Sequence, residues 1–375
     1  MPYLSFASNF LWVMVIGLLG PSIPGLVSEL KINYTQAGLF FTLLSLGSLF
    51  GTLFGSMSTD YLDRKVIYGV FSFSLCVGLL GVGVAPAYGV ILIVIFFMSV
   101  LGSPIGAVGQ SIMIDMYPQK RERNLSLMTS FAAAGNLCAP ILVSLNYTIG
   151  LNWRHSFYET ALMAFLLFTA IMIIPLPPKT IYQGEGVNPL KIIVHPQVII
   201  SGLLIFLSVG VDIGFSYWIA EYFNTELNVP LRFASAVAGV YLTGVISGRF
   251  ITSRLVRHVR PATIMKGSLI LALVSLTIFL SQPIVSVKIV FSFFYGLGIG
   301  PLFPLLMSRG VAAFPAQPGS VTGILFSMLS LGGMVFPFLL GTLAETTSIE
   351  KSYFFIGGIN LILLIAIHLW NRRSG

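Results

Sequence analysis

Residues 210–222, GVDIGFSYWIAEY, carry two carboxylates, Asp212 and Glu221, inside an apolar run that begins near Val198. An unpaired carboxylate at mid-membrane costs about 2.5–3.5 kcal/mol on insertion scales, so such a residue faces a protein interior or a wet cavity. On a helix, Ser208, Asp212 and Ser216 recur every four residues and share one face. Glu221 falls about half a turn away from Asp212. Gly210 and Gly214 would permit a local irregularity. The chemistry open to Asp212 is proton exchange: a carboxylate that alternates between a desolvated seat and one beside a cation binds and releases a proton. The competing reading is a carboxylate in a wet vestibule at a helix end. Glu221, and Glu159 elsewhere, are expected to be solvated rim charges.

Arg249 is the cation of interest. It shares a helix face with Thr252 and Ser253, and its guanidinium can hold a hydroxyl or a carboxylate in a bidentate grip. An arginine one to two turns inside a helix end can also snorkel to the interface or serve interhelix packing. His155, His195, His258 and His368 are scattered at loops and helix ends without metal-ligand spacing. No phosphate-binding glycine loop and no nucleophile elbow is present. Neither an enzyme nor a cofactor is expected.

The elements that must position these residues are set by composition. The chain has 375 residues, 56% hydrophobic and 9% charged, against about 25% charged in soluble domains. Apolar runs long enough to cross a bilayer, about 20 residues each, follow one another. They predict helices near 4–27, 37–58, 66–84, 88–115, 124–148 and 156–176, then 197–222, 233–256, 262–281, 285–309, 319–345 and 349–371. The first has no basic leader and continues into Pro21 and Pro24, so it reads as a membrane span rather than a cleaved signal. Cys76 and Cys138 both lie in apolar runs, which argues against a disulfide framework. The Pro/Gly-rich stretch 177–196 reads as the linker between an N-terminal bundle, 1–176, and a C-terminal one, 197–375.

The net charge of +8 is topological. Arg64, Lys65, Lys120, Arg121, Arg123, Lys179, Lys191, Arg254, Arg257, Arg260, Lys266, Arg372 and Arg373 fall on one side. Lys31, Arg154, Arg232, Lys288 and Lys351 fall on the other. The positive-inside rule makes the first side cytoplasmic, with both termini inside a cell membrane, and sets nucleic acid aside as a partner. The halves also repeat. Gly47 and Gly51 correspond to Gly244 and Gly248, an offset of 197 residues. The same offset carries Gly17 to Gly214, Pro104 to Pro301, Gly135 to Gly332, Pro140 to Pro337 and Phe157 to Phe354. Six helices repeated in parallel is a layout in which substrate binds near mid-membrane at the repeat interface.

These features resemble the major facilitator superfamily over nearly the whole chain. Between the second and third spans, Asp60, Arg64 and Lys65 match the family's loop pattern, while Ser56 and Asp63 replace its two glycines and Tyr61 a basic residue. The resemblance implies an all-α fold of twelve transmembrane helices in two six-helix bundles. It also implies a gate in which Arg64 pairs with Asp115 at the end of the fourth span, and Asp60 caps a helix of the other half. A finer resemblance is to the fucose/galactose/glucose-proton symporter group, carried by Asp212-x5-Trp218-x3-Tyr222, by Gly248-Arg249-Phe250, by Phe303-Pro304 and by Gly332-x4-Pro337. In that group the acid is a glutamate; Asp212 is one methylene shorter.

With that resemblance, Asn9, Trp12, Gln110, Asn136 and Trp218 fall on helices that line or flank the family's cavity. Amides suit hydroxyl-rich ligands and aromatic faces suit a sugar ring; each side chain would serve equally as an interhelical hydrogen-bond partner. The expectation is proton-coupled uptake of a sugar or similar small polar solute by alternating access. Asp212, Arg249, Trp218, Gln110, Asn9 and Asn136 would serve substrate or proton, and Asp60, Arg64 and Asp115 the gate. The protein is expected to act as a monomer in the bilayer. Efflux of amphipathic drugs or metabolites is the alternative within transporters. A non-transporting sensor or scaffold on the same fold is the alternative outside them.

Overall fold

Long uncharged apolar runs leave the backbone one way to satisfy its own N–H and C=O groups in lipid, and the chain takes it throughout. A computed structural model describes residues 2–61, 63–117, 119, 121–176, 195–312 and 318–373. The stretch 177–194 within the expected linker lies outside the described residues, and so do the side chains of Asp60 and Asp115. Among the described residues there is no strand. Twelve helical segments are long and apolar enough to cross a membrane.

Two compact units divide the chain: residues 1–32 with 39–185, and residues 33–38 with 186–375. The first holds α1 (Pro2–Leu30), most of α2 (Tyr34–Tyr61), α3 (Arg64–Val84), α4 (Tyr88–Gly102), α5 (Pro104–Met116), α6 (Arg121–Thr148) and α7 (Trp153–Ile173). The second holds α8 (Pro196–Glu221), which a π-helical turn Tyr222–Glu226 continues. Then come α9 (Leu231–Leu255), α10 (Pro261–Ser281), α11 (Val285–Ile299), α12 (Leu302–Ala312), α13 (Pro318–Thr346) and α14 (Ile349–Arg373).

Local chemistry sets the ends. Asp63 N-caps α3, its carboxylate accepting from the N–H of Lys65 at 2.8 Å and of Val66 at 3.2 Å. The residue that departs from the family's loop glycine therefore has a structural use. Asn152 and His155 form a capping box at α7. Proline begins α5, α8 and α10, where its missing N–H costs nothing. Single spans break into α4 and α5 just before Pro104, and into α11 and α12 around Pro301.

In the first unit α1 packs along α6 and α3 along α7. In the second, α8 packs along α13 and α10 along α14, the same pairs one repeat later. The glycines give the reason. A Cβ on Gly47 would meet the carbonyl of Phe96 and the N–H of Val100; on Gly244 it would meet those of Phe293 and Leu297. These neighbours are themselves related by 197 residues. Each bundle thus relies on the same backbone-to-backbone approach, which a side chain would wedge apart.

One end of the first unit is pinned by Arg154. Its guanidinium donates to Glu29 at 2.7 Å and to the carbonyls of Gly83 and Ala85 at 2.7 and 2.9 Å, while Trp153 Nε1 donates to Glu29 at 2.8 Å. The end of α1, the C-terminus of α3 and the start of α7 are tied together there.

Gly244→Ala is expected to destabilise the protein by about 1–3 kcal/mol through overpacking. Gly267→Ala, where an added Cβ meets nothing within 4 Å, should be neutral or slightly stabilising. Thermal unfolding of the two purified variants side by side checks this. Equal midpoints would remove the close-approach account.

Candidate functional site

Asp212 lies on a regular stretch of α8, so Ser208, Asp212 and Ser216 do share a face. The irregularity comes later, in the π turn, and Gly210 and Gly214 instead receive Phe336 and Leu340 of α13. Asp212 is half-buried, and its Oδ1 accepts a hydrogen bond from the Tyr241 hydroxyl on α9 at 2.5 Å. The Tyr241 ring is fully buried between Phe215, at 5.0 Å, and Tyr295, at 5.9 Å. Tyr295 in turn accepts from Asn360 Nδ2 of α14 at 3.1 Å. Four helices therefore fix the orientation of one carboxylate.

The exposed Arg249 side chain lies within electrostatic reach of Asp212. Its Nε donates to the Gly300 carbonyl at 3.3 Å. Pro304 follows four residues after Gly300 and lacks an N–H, so that carbonyl has no helical donor. An arginine anchored to this broken helix, in electrostatic reach of a carboxylate, can hold a carboxylate or a hydroxyl group.

The other expected residues are placed as follows. Trp218 is fully buried and donates through Nε1 to the Pro337 carbonyl at 2.9 Å, tying α8 to α13. In the first unit, Asn9 is 7% exposed and donates to the Ser5 carbonyl at 3.0 Å. Gln110 approaches Asn9 Oδ1 at 3.5 Å, the long end of a hydrogen bond. Trp12 is buried against α4 and α5, at Gly102 and Gly106. Asn136 is half-buried on α6 where Gly17 of α1 comes close. Arg64 is 6% exposed and donates to Ser111 Oγ on α5 at 3.3 Å, one turn before Asp115.

Two sequence expectations are corrected. Glu221 is 1% exposed rather than a solvated rim charge, because the span continues past it into the π turn. Glu159 is half-buried and accepts from Asn146 Nδ2 at 2.9 Å, so it also is not a solvated rim charge.

Lys288, counted in the sequence among the few cations of the non-cytoplasmic side, is 2% exposed in the first turn of α11. Its Nζ bonds the Tyr222 hydroxyl at 2.6 Å and the Phe279 carbonyl at 2.9 Å, and stands 3.6 Å from Glu350. Tyr222 also donates to Glu350 at 2.7 Å. Glu226, in the π turn, accepts from the N–H of Glu350 at 3.2 Å and of Ile349, capping α14. This network holds one end of α8 to α11 and α14.

Sequence reasoning missed Tyr241, Tyr295, Asn360 and Lys288. A lone amide in the apolar run of α14 and a lone cation near the start of α11 were usable signals. The tyrosines gave none, since apolar helices bury tyrosine routinely.

The model of the Major Facilitator Superfamily matches residues 5–337. The chain belongs to this superfamily. Similar relatives include the uncharacterized MFS-type transporter YfkL of Bacillus subtilis, 20% identical over 95% of this chain and 92% of its own. Another is the quinolone resistance protein NorA of Staphylococcus aureus, 21% identical over 99% and 97%. The crystal structure of the nucleoside transporter NupG matches the fold with a TM-score of 0.79 at 16% identity, over 98% of this chain and 97% of that one. The protein is a multi-pass membrane transporter of all-α, twelve-span fold.

Removing one partner of a buried ion pair costs about 3–5 kcal/mol. The partial exposure of Glu350 discounts that, so Glu350→Leu is expected to lose about 1–3 kcal/mol. Lys288→Met/Glu350→Leu should recover more than half of the loss. A double-mutant cycle on unfolding midpoints reads the coupling, and strict additivity would show that the pair is not one.

Proposed function

We propose that this transporter carries out proton-coupled uptake of a sugar or similar small polar solute by alternating access, with Asp212 as the coupling carboxylate. The observation that carries the reading is the Asp212–Tyr241 hydrogen bond of 2.5 Å with Arg249 in electrostatic reach. A carboxylate on a membrane-spanning helix, oriented by a buried hydroxyl and adjustable by a nearby cation, changes its hold on a proton when its exposure changes. Arg249, Gln110, Asn9 and Asn136 would contact solute. Trp218 would act from behind, by fixing α8 on α13. Arg64 would gate with Asp60 and Asp115; its bond to Ser111 puts its guanidinium on the helix that carries Asp115. The basic loops favour a cell-membrane protein with both termini in the cytoplasm. We take the working unit to be a monomer.

The second reading is efflux of amphipathic compounds, favoured by the likeness to NorA over 99% of the chain. Liposomes with an imposed proton gradient separate the two. Inward-driven accumulation of a labelled hexose by the native protein, lowered at least tenfold in Asp212→Asn while counterflow exchange persists, is the expected outcome. Equal accumulation by both proteins would move the coupling site elsewhere. Absence of hexose flux, with gradient-driven extrusion of a dye, would replace uptake by efflux.

A further inference from the structure

A groove of about 280 Å3 opens on the second unit where α9, α10 and α11 meet. Gly248 and Thr252 line one wall, Thr263, Gly267 and Ser268 another, and Leu297 the floor. From Thr263 to Leu271 it follows α10 for about 12 Å. Gly267 is what leaves it open: nothing lies within 4 Å of where its Cβ would be. The walls belong to three segments long and apolar enough to cross a membrane.

Its mouth is strongly positive. Val259, which lines the groove, sits in the turn between α9 and α10 with Arg257, His258 and Arg260, all three exposed. Arg254 is folded over the Phe250 ring at 4.0 Å, and Arg257 and Arg260 are the exposed arginines of that turn. No side chain caps the N-terminus of α10, which begins at Pro261 immediately after them, so its positive dipole end adds to the same field. Lys266 on α10 and Arg372 on α14 both lie within electrostatic reach of His368. No aspartate or glutamate occurs in the sequence between Glu226 and Glu345 to neutralise this end.

We propose that the groove seats an acyl chain of an anionic phospholipid whose headgroup is held by Arg257 and Arg260 at the mouth. An apolar slot supplies the seat for the chain, and adjacent exposed cations supply the selection for charge. A zwitterionic lipid fills the slot without that second contribution. A soluble phosphate meets the cations without the first. By the positive-inside argument the mouth lies in the cytoplasmic leaflet, where anionic lipids reside.

The test reconstitutes the protein into bilayers of phosphatidylcholine with a minor fraction of phosphatidylglycerol, then reads the retained lipids by native mass spectrometry after detergent extraction. The native protein is expected to retain phosphatidylglycerol at least tenfold over its bulk proportion. Gly267→Leu fills the slot in space that is already open, and should bring retention down to that proportion. Arg257→Gln/Arg260→Gln should abolish the preference between the two lipids while leaving some lipid bound. Unfolding midpoints of both variants establish that they are folded. Retention by Gly267→Leu equal to that of the native protein would overturn the proposal. So would equal retention of the two lipids by the native protein, or displacement of phosphatidylglycerol by soluble glycerol phosphate.

Discussion

Inside a lipid-facing span, every polar group must find its partner within the protein, and much of this structure follows from where those partners are. Helices satisfy most of the backbone. Where proline removes a donor, a side chain or a close neighbour steps in. The Gly300 carbonyl, left without a helical donor by Pro304, takes Arg249 Nε. The Pro337 carbonyl, inside the continuous helix α13, takes Trp218 Nε1 as a further contact that ties α8 to α13. Arg249 thus supplies a donor where proline has removed one, while Trp218 fixes one helix on another.

The same constraint explains why the charged residues of the second unit come in built networks. Lys288 is buried, but it has a hydroxyl, a carbonyl and a carboxylate around it. Asp212 has the Tyr241 hydroxyl, which is itself held within a cluster of Phe215, Tyr295 and Tyr353. One network sits at the end of α8, where the π turn loosens the helix; the other sits on its regular part. The carboxylate thus has a fixed seat on the regular part of α8, while the irregular end of that helix is tied to α11 and α14.

Close helix approach is the second support. Gly244 against Phe293, Gly332 against Phe206 and Gly47 against Phe96 bring backbones together where any side chain would intrude. Because the Gly47 and Gly244 contacts recur one repeat apart, the two units share a packing scheme while differing in chemistry. The second carries the Asp212 and Lys288 networks. The first carries Asn9 with Gln110, and Arg154 with Glu29.

What the sequence determined by itself is whatever depends on period, composition and spacing: twelve spans, the repeat offset, the loop charge bias and the prominence of Asp212. Hydrophobic runs of bilayer length and a gap-free offset are one-dimensional properties, so one dimension suffices to read them. What only tertiary structure decided is which polar side chains meet. Tyr241 lies 29 residues from Asp212 and Asn360 lies 65 from Tyr295, each on a different helix from its partner, so no period within one helix relates them. Burial was equally hidden. Glu221 and Lys288 sit near helix ends, where sequence suggests solvent, yet the π turn and the approach of α14 enclose them. Contact between distant segments is set by how helices pack in three dimensions, and that is the information a linear pattern lacks.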